Sequence, residues 1–559
     1  MLGKDTMAEG RFALIEQLRA DGVRYIFGNP GTVEQGILDA VSSYTELEYV
    51  LALQESVAVG IADGYARGSG EVAIVQLHSG VGLGNGVGML YQAKRGHTPL
   101  VVLAGESGLR YDAMDAQMAA DLVAMARPVT KYATRVVDPA SVLRIVRRAV
   151  KIATTPPTGP VFVCLPADVM DAENDETAQP TSRLTRRVTP DPAELRRAAE
   201  LLTGARAPIV IAGDGVGASH AQEELARLAE LLGAPVWGAD WSQVNMDYAH
   251  PLFSGLLGHM FGDVSRTIAS RADAVLIVGT YVFPEVFPAL QNVFASGAPV
   301  VHIDLDDYEI AKNFEVTLGL AADPKLTLAG LNAELSTLQS AEARAAAAER
   351  VRATGTATET RLADERQQDV VRGQRTAGVT VAQFAAELAR RLPPDAVVFD
   401  EALTTSTELL RYLVPRRPGS YHLTRGGSLG VGIPGAIGLK LAHPERTVVG
   451  FTGDGAAMYT IQALWTAVRH GIDAKFVVCN NRSYELLKDN LREYRLERGV
   501  AEHAFPASFD LSVPPLQFCE IAEAMGVRAA RVAKPAQVEP AIRDALDDPG
   551  PFLIELVLA

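Results

Sequence analysis

The stretch VVGFTGDGAAM, residues 448–458, constrains the chain more than any other. An apolar run that reads as a buried strand ends at Thr452. An acid, Asp454, then sits between Gly453 and Gly455 before a helical pattern begins. Backbone N–H groups at such a helix start are unpaired and favour anions. A carboxylate would repel a phosphate there, so Asp454 suits a phosphate site only with a cation between them. Hard divalent ions accept carboxylate, amide and phosphate oxygens together. On its own, a GDG is better explained by a helix cap.

The following residues supply a partner. Ile461, Leu464, Trp465 and Val468 recur at helical spacing, and AKFVV reads as the next buried strand, ending at Asn480 and Asn481. Parallel strands of a strand-helix-strand unit end at one sheet edge, so Asp454 and Asn481 can face each other across a crevice. Asn481 offers an amide oxygen and the Ser483 backbone carbonyl a third protein donor, leaving further positions for diphosphate and water. A second GDG, Gly213-Asp214-Gly215 after APIVIA, acts as a control. At the same separation it meets Trp241, so it reads as an ordinary strand-to-helix turn.

GDG, a helix and NN at this separation resemble the metal-diphosphate motif of the thiamine diphosphate (ThDP) enzymes. The resemblance implies ThDP and Mg2+ as cofactors. Gly453, Asp454, Gly455 and Ala456 would lie at the diphosphate, and Asp454, Asn481 and Ser483 at the metal.

With 559 residues the chain is long enough for three or four domains at about 150 residues each. A hydrophobic share of 48% allows each a real core. The formal charge of −15 argues against nucleic acid and acidic membranes as partners. Cys164, Cys479 and Cys519 lie in or beside apolar runs, which favours a reduced, cytoplasmic setting without a disulfide framework. The N-terminal Phe12, Leu14, Ile15 and Leu18 alternate with charged and polar residues as in an amphipathic helix rather than a signal peptide, and no apolar stretch is long enough to span a membrane.

Two polar segments, 171–192 and the Ala/Arg/Glu-rich 340–369, read as linkers, the second part helical. They separate α/β blocks at residues 1–175, 190–340 and 370–559. The first and third echo each other: from Ser56 and from Ser428 the chain runs helix, strand, glycine turn, helix, strand, with His78-Ser79-Gly80 where Gly453-Asp454-Gly455 lies. Three doubly wound parallel-sheet domains are expected. ThDP enzymes share this plan, with a pyrimidine-binding domain, a middle domain and a diphosphate-binding domain. It implies a cofactor bridging two subunits, hence a homodimer at least and a homotetramer as the fuller expectation.

ThDP is activated by its own aminopyrimidine, which needs a carboxylic acid hydrogen-bonded to the ring. Glu55, after the apolar run YVLALQ and before a helical pattern, is the candidate; a helix-start glutamate suited to the dipole is the plainer alternative. FGNPGTVE (27–34), LQES (53–56) and LHSG (77–80) resemble segments of the benzoylformate decarboxylase branch. That likeness implies that Thr32 holds a substrate carboxylate and His78 relays protons, a role that suits histidine at neutral pH. It also implies that Leu429 of SLGVGIPGAIG wedges the cofactor into its bent form, and that Thr404 and Tyr484 lie near the diphosphate.

Two positions depart from the branch: Val286 stands where a second histidine is expected, and Asn490 where the substrate pocket has an aromatic residue. His259 in GLLGHMFGD could enter the pocket instead. The expected activity is ThDP- and Mg-dependent decarboxylation of a 2-oxo acid to an aldehyde. The alternatives are an acetolactate-synthase-like carboligase taking an aldehyde or second oxo acid, a 2-hydroxyacyl-CoA lyase, and a non-catalytic ThDP-binding protein, against which Glu55 speaks.

Overall fold

A computed structural model describes residues 8–239, 241–281 and 283–558. Each of the three blocks forms a six-stranded, wholly parallel sheet between helices. In the first, strands β1 (Tyr25–Gly28), β2 (Glu48–Leu51), β3 (Ala73–Leu77), β4 (Leu100–Glu106), β5 (Tyr132–Arg135) and β6 (Val161–Pro166) lie in the order β2-β1-β3-β4-β6-β5. The middle sheet, β7 (Pro208–Ala212), β8 (Val236–Gly238), β9 (Phe253–Leu256), β10 (Ala274–Val278), β11 (Val300–Asp304) and β12 (Leu318–Ala321), has the order β9-β8-β7-β10-β11-β12. In the third, β13 (Val397–Glu401), β14 (Tyr421–Leu423), β15 (Val448–Gly453), β16 (Lys475–Asn480), β17 (Arg528–Val532) and β18 (Phe552–Val557) run β14-β13-β15-β16-β18-β17. The first and third sheets thus share one winding, the structural counterpart of the echo in sequence. Strands buried on both faces need apolar residues at every position, which is why these runs do not alternate.

The amphipathic N-terminal segment forms helix α1 (Gly10–Ala20), burying Leu14, Ile15 and Leu18. Helix α2 (Glu55–Ser69) starts on a cap from Gln54, whose side chain accepts the Val57 N–H, and ends at Gly70, where φ is +73°. Helix α3 (Ser79–Arg95) follows β3. The segment expected to be a partly helical linker is instead one continuous helix, α4 (Ala341–Arg375). Few of its residues are buried, and tertiary ties hold it: Arg350 donates to the Leu232 carbonyl, Gly355 packs on Pro251, and Asp369 pairs with Arg411. The helix therefore joins the middle block to the third. The other expected linker is ordered too, with Asn174 paired in a short antiparallel ladder to Ala8 and Thr181 bonded to Asp21.

Helix α5 (Gly432–Ala442) packs directly against α2. Gly60 meets Pro434, a Cβ on Gly64 would overlap the Gly435 carbonyl, and one on Gly438 would overlap the Ile61 carbonyl. Only glycine lets the two backbones approach this closely. One apolar cluster consequently runs through both domains, including Ile61, Phe27 and Leu90 from the first and Phe399, Ile433 and Phe476 from the third. The helical pattern after Asp454 divides at Ile461 into α6 (Asp454–Thr460) and α7 (Ala463–Arg469), and α8 (Glu485–Arg498) follows β16. Among the described residues no helix is long and apolar enough to cross a membrane.

Candidate functional site

The chemistry-bearing residues gather at the C-terminal strand edges of the two related sheets. In the first, the loop after β1 turns back over β3. Asn29 donates to the Ala52 carbonyl at 3.0 Å, and the loop backbone comes so near His78 that a Cβ on Gly31 would overlap the imidazole. Thr32 opens a short 3-10 turn and is exposed, while Glu34 at its end is 0% exposed. The Glu34 carboxylate accepts the Gly105 N–H at 2.8 Å and lies 2.9 Å from Nδ1 of His78. Burial raises its pKa, and the bonds from His78 and Gly105 act against that rise.

Glu55 is the first residue of α2 and 8% exposed. Its Oε2 accepts from Asn85 of α3 at 3.0 Å. A Cβ on Gly82 would lie 2.9 Å from Glu55 Oε1 and 3.3 Å from His78 Cβ, so Gly82 sits between the two side chains. The first sheet thus brings Glu55, His78 and the 29–34 loop together. Sequence reasoning missed Glu34 and Asn85. Glu34 lay within the quoted FGNPGTVE, but nothing in the order of residues shows that it meets His78.

In the third sheet Thr452 pairs with Val478 and Gly453 with Cys479, setting the ends of β15 and β16 side by side. Asp454 starts α6 and is 3% exposed. Its Oδ1 accepts the Gly455 N–H at 2.7 Å, and its Oδ2 accepts the Ser483 N–H at 3.3 Å. Asn481 Oδ1 accepts that same N–H at 2.9 Å, so the carboxylate and the amide oxygen converge on one point. Burial raises the Asp454 pKa, and among the described residues no basic side chain is ion-paired with it. A buried carboxylate without a counter-charge is costly, and a bound cation removes the cost. The donors here are hard oxygens, and no cluster of three or more His, Cys, Asp or Glu occurs among the described residues. This set fits a Mg2+-type ion carrying phosphate and water. The Tyr484 ring lies against Gly455, leaving no room there for a Cβ. Thr404 lies in a 3-10 turn after β13, and Leu429 is half-buried directly before Gly430.

Among the described residues no hydrogen bond or ion pair joins the Glu55–His78 cluster to the Asp454–Asn481 cluster. Asp214, from the second GDG, is differently employed: it accepts from Ser242 and Asn245 and pairs with Arg425, tying the middle block to the third. Val286 is 58% exposed, and its N–H donates to the carbonyl of His259, itself exposed. Among the described residues neither is bonded to a residue of the two clusters.

Known proteins agree with this architecture. Models described as the N-terminal, central and C-terminal domains of thiamine pyrophosphate enzymes match residues 8–125, 195–331 and 404–556. A benzoylformate decarboxylase of Pseudomonas aeruginosa is 33% identical over 97% of this chain and 98% of its own. An acetolactate synthase large subunit assigned in Methanocaldococcus jannaschii is 27% identical, over 98% of this chain and 92% of its own. The structure of a ThDP-dependent 4-hydroxybenzoylformate decarboxylase from Rhodococcus jostii superposes with a TM-score of 0.82 at 27% identity, covering 98% of this chain and 99% of that one. Joined to a domain pair wound alike and a buried acid facing an amide across one strand edge, these matches establish that the chain belongs to the thiamine pyrophosphate enzyme family.

Proposed function

We propose that the protein is a ThDP- and Mg2+-dependent decarboxylase that converts a 2-oxo acid to an aldehyde and carbon dioxide. The observation that carries this reading is the convergence of Asp454 and Asn481 on the Ser483 N–H, with Asp454 buried and, among the described residues, ion-paired to no basic side chain. In this reading Asp454, Asn481 and the Ser483 carbonyl hold Mg2+, while Gly453, Gly455, Ala456, Thr404 and Tyr484 line the diphosphate. Bound ThDP supplies a carbon nucleophile and a sink for the electrons released with carbon dioxide. Glu55, sheltered beneath Gly82, would hydrogen-bond the aminopyrimidine ring of the bound cofactor through its carboxyl group. Asn85 holds one carboxyl oxygen and leaves the other for that contact. Thr32 holds the substrate carboxylate. His78, with Nδ1 turned to Glu34, offers Nε2 as the atom that delivers the product proton.

The two half-sites belong to different subunits in this reading. Val81 and Tyr91 on α3, and Met458 and Tyr459 on α6, are exposed apolar residues on the elements that carry the half-sites, a face suited to a second copy of the chain. A homodimer completes the site, and a homotetramer pairs two such dimers.

Carboligation is a second reading. Acetolactate synthases match over nearly the whole chain, and the 285–287 segment offers Val286 in place of a proton donor. Incubating the protein with ThDP, Mg2+ and a panel of 2-oxo acids, with aldehyde and acyloin both measured, tests the proposal. Aldehyde as the main product supports decarboxylation, acyloin without free aldehyde supports the ligase, and neither product from any acid overturns both.

A further inference from the structure

Glu401 ends β13 and is 0% exposed, and among the described residues no ion pair joins it to either cluster. Its two oxygens accept four hydrogen bonds. Oε1 takes the N–H groups of Gly430 at 2.6 Å and Val431 at 3.0 Å, and Oε2 takes the Gly432 N–H at 2.7 Å and the Thr452 hydroxyl at 3.0 Å. A carboxylate so saturated has no position left for a substrate or cofactor proton. That separates it from Glu55, whose one side-chain hydrogen bond comes from Asn85. Burying an unpartnered acid is expensive, so these four donors are what allow Glu401 to be there.

The segment it grips needs such a hold. Gly430 has φ +95°, a conformation open to glycine but strained for other residues, and a Cβ there would lie 2.7 Å from the Tyr459 Cβ. A glycine directly after Leu429 leaves the direction of that side chain weakly determined by local geometry. The turn is instead fixed from both sides, by Glu401 on its N–H groups and by the Thr460 hydroxyl, which donates to the Gly430 carbonyl at 2.6 Å. The same N–H groups start α5, whose own N-cap Val431 has no side-chain oxygen. An acid from a different strand therefore does the capping and ties β13, the Leu429 turn and the end of β15 to one another.

We infer that Glu401 is the positioning residue for Leu429: by clamping the 430–432 backbone it aims that side chain at the ring portion of the cofactor, apart from the metal that holds the diphosphate. The inference rests on the ThDP reading above. Glutamine cannot replace the glutamate, because its NH2 would face N–H donors where an oxygen is needed.

Two probes separate ring recognition from diphosphate recognition: ThDP with Mg2+, and inorganic pyrophosphate with Mg2+, each titrated calorimetrically against the full-length protein. For Glu401→Gln the expected result is a tenfold or greater weakening of ThDP with pyrophosphate affinity within about twofold of wild type. Leu429→Ala should show the same selective loss, and the double variant should lose no more than the worse single one. If Glu401→Gln does not fold, Thr460→Val, which removes the other side of the clamp, carries the test, with a selective loss of ThDP affinity of about threefold. Equal weakening of both probes, unchanged ThDP affinity, or additive losses in the double variant would overturn the role of Glu401. A wild-type protein that binds neither probe overturns the ThDP reading itself, which keeps the two failures apart.

Discussion

Nδ1 of His78 lies 2.9 Å from Oε2 of Glu34, a carboxylate closed off from solvent whose other oxygen is held by the Gly105 N–H. The carboxylate holds the imidazole by one nitrogen, which in the proposed reading leaves the other for the substrate. Glu34→Gln keeps the shape but weakens that hold. We expect ThDP affinity within twofold of wild type and kcat lowered roughly ten- to hundredfold, a share of what a positioned acid or base contributes. Titration of ThDP followed by steady-state kinetics checks this, and unchanged kcat would show that the pair is only structural.

In the proposed reading Glu55→Gln removes the carboxyl proton offered to the aminopyrimidine while preserving the Asn85 contact through the amide oxygen. Turnover should fall by about a thousandfold with cofactor binding retained. Asn85→Ala frees one carboxyl oxygen and should cost less, about tenfold. A Glu55→Gln enzyme with near-normal rate would remove Glu55 from the chemistry.

Asp454→Ala should abolish tight binding of ThDP, with Asn481→Ala milder, and chelating the divalent ion from wild-type protein should release ThDP in the same way. Asp214→Ala is the control, and its expected effect is of another kind. It removes the carboxylate paired with the buried Arg425, which keeps its hydrogen bond to the Arg95 carbonyl, so stability should drop by about 3 kcal/mol while ThDP affinity holds. Denaturant unfolding and calorimetry on the same samples separate the two effects; Asp214 and Asp454 behaving alike would refute the distinction.

Gly438→Ala puts a methyl group onto the Ile61 carbonyl, and the three nearest atoms, on Ile61, Gly64 and Tyr65, are all backbone and cannot turn aside. The expected cost is about 3 kcal/mol, at the upper end for overpacking, with loss of Tm shared by the first and third domains because one apolar cluster runs through both. Gly453→Ala, where nothing lies within 4 Å of the added carbon, should leave Tm nearly unchanged.

His302 lies buried on β11 between the Thr280 carbonyl and the Ala311 N–H, and burial pushes its pKa down to about 4. The fold keeps it neutral while the unfolded chain takes up a proton below about 6.5. Its contribution is therefore complete above pH 6.5 and is lost as pH falls toward 4, on the order of 3 kcal/mol. Asp304, pushed up to about 7 by burial, works in the opposite sense across the same window. The measurable quantity is accordingly the difference between wild type and His302→Gln, whose stability should fall less steeply between pH 6.5 and 4.5. Parallel curves would show that His302 does not titrate in this range.

The sequence by itself determined the parallel α/β strands and the fold class, and it raised the metal motif as an expectation. Strands buried on both faces must be apolar throughout, a helix start after glycine leaves N–H groups open, and a carboxylate there suits a phosphate only with a cation between them; each of these is local chemistry, readable from neighbours such as Thr452, Asp454 and Asn481. The repeated order of elements from Ser56 and from Ser428 likewise announced two related domains. Only the tertiary structure decided which distant groups meet. Glu34 reaches His78, Asn85 reaches Glu55, and Glu401 reaches the N–H groups of 430–432 across separations that no periodicity records. The segment 341–375 shows the same limit from the other side. Its composition reads as a linker because it has no apolar stripe, yet it is one helix, held by Arg350, Gly355 and Asp369 against partners far away in the chain. Local residues set which conformations are available, whereas long-range hydrogen bonds and close backbone packing select among them, and those depend on where the rest of the chain has folded.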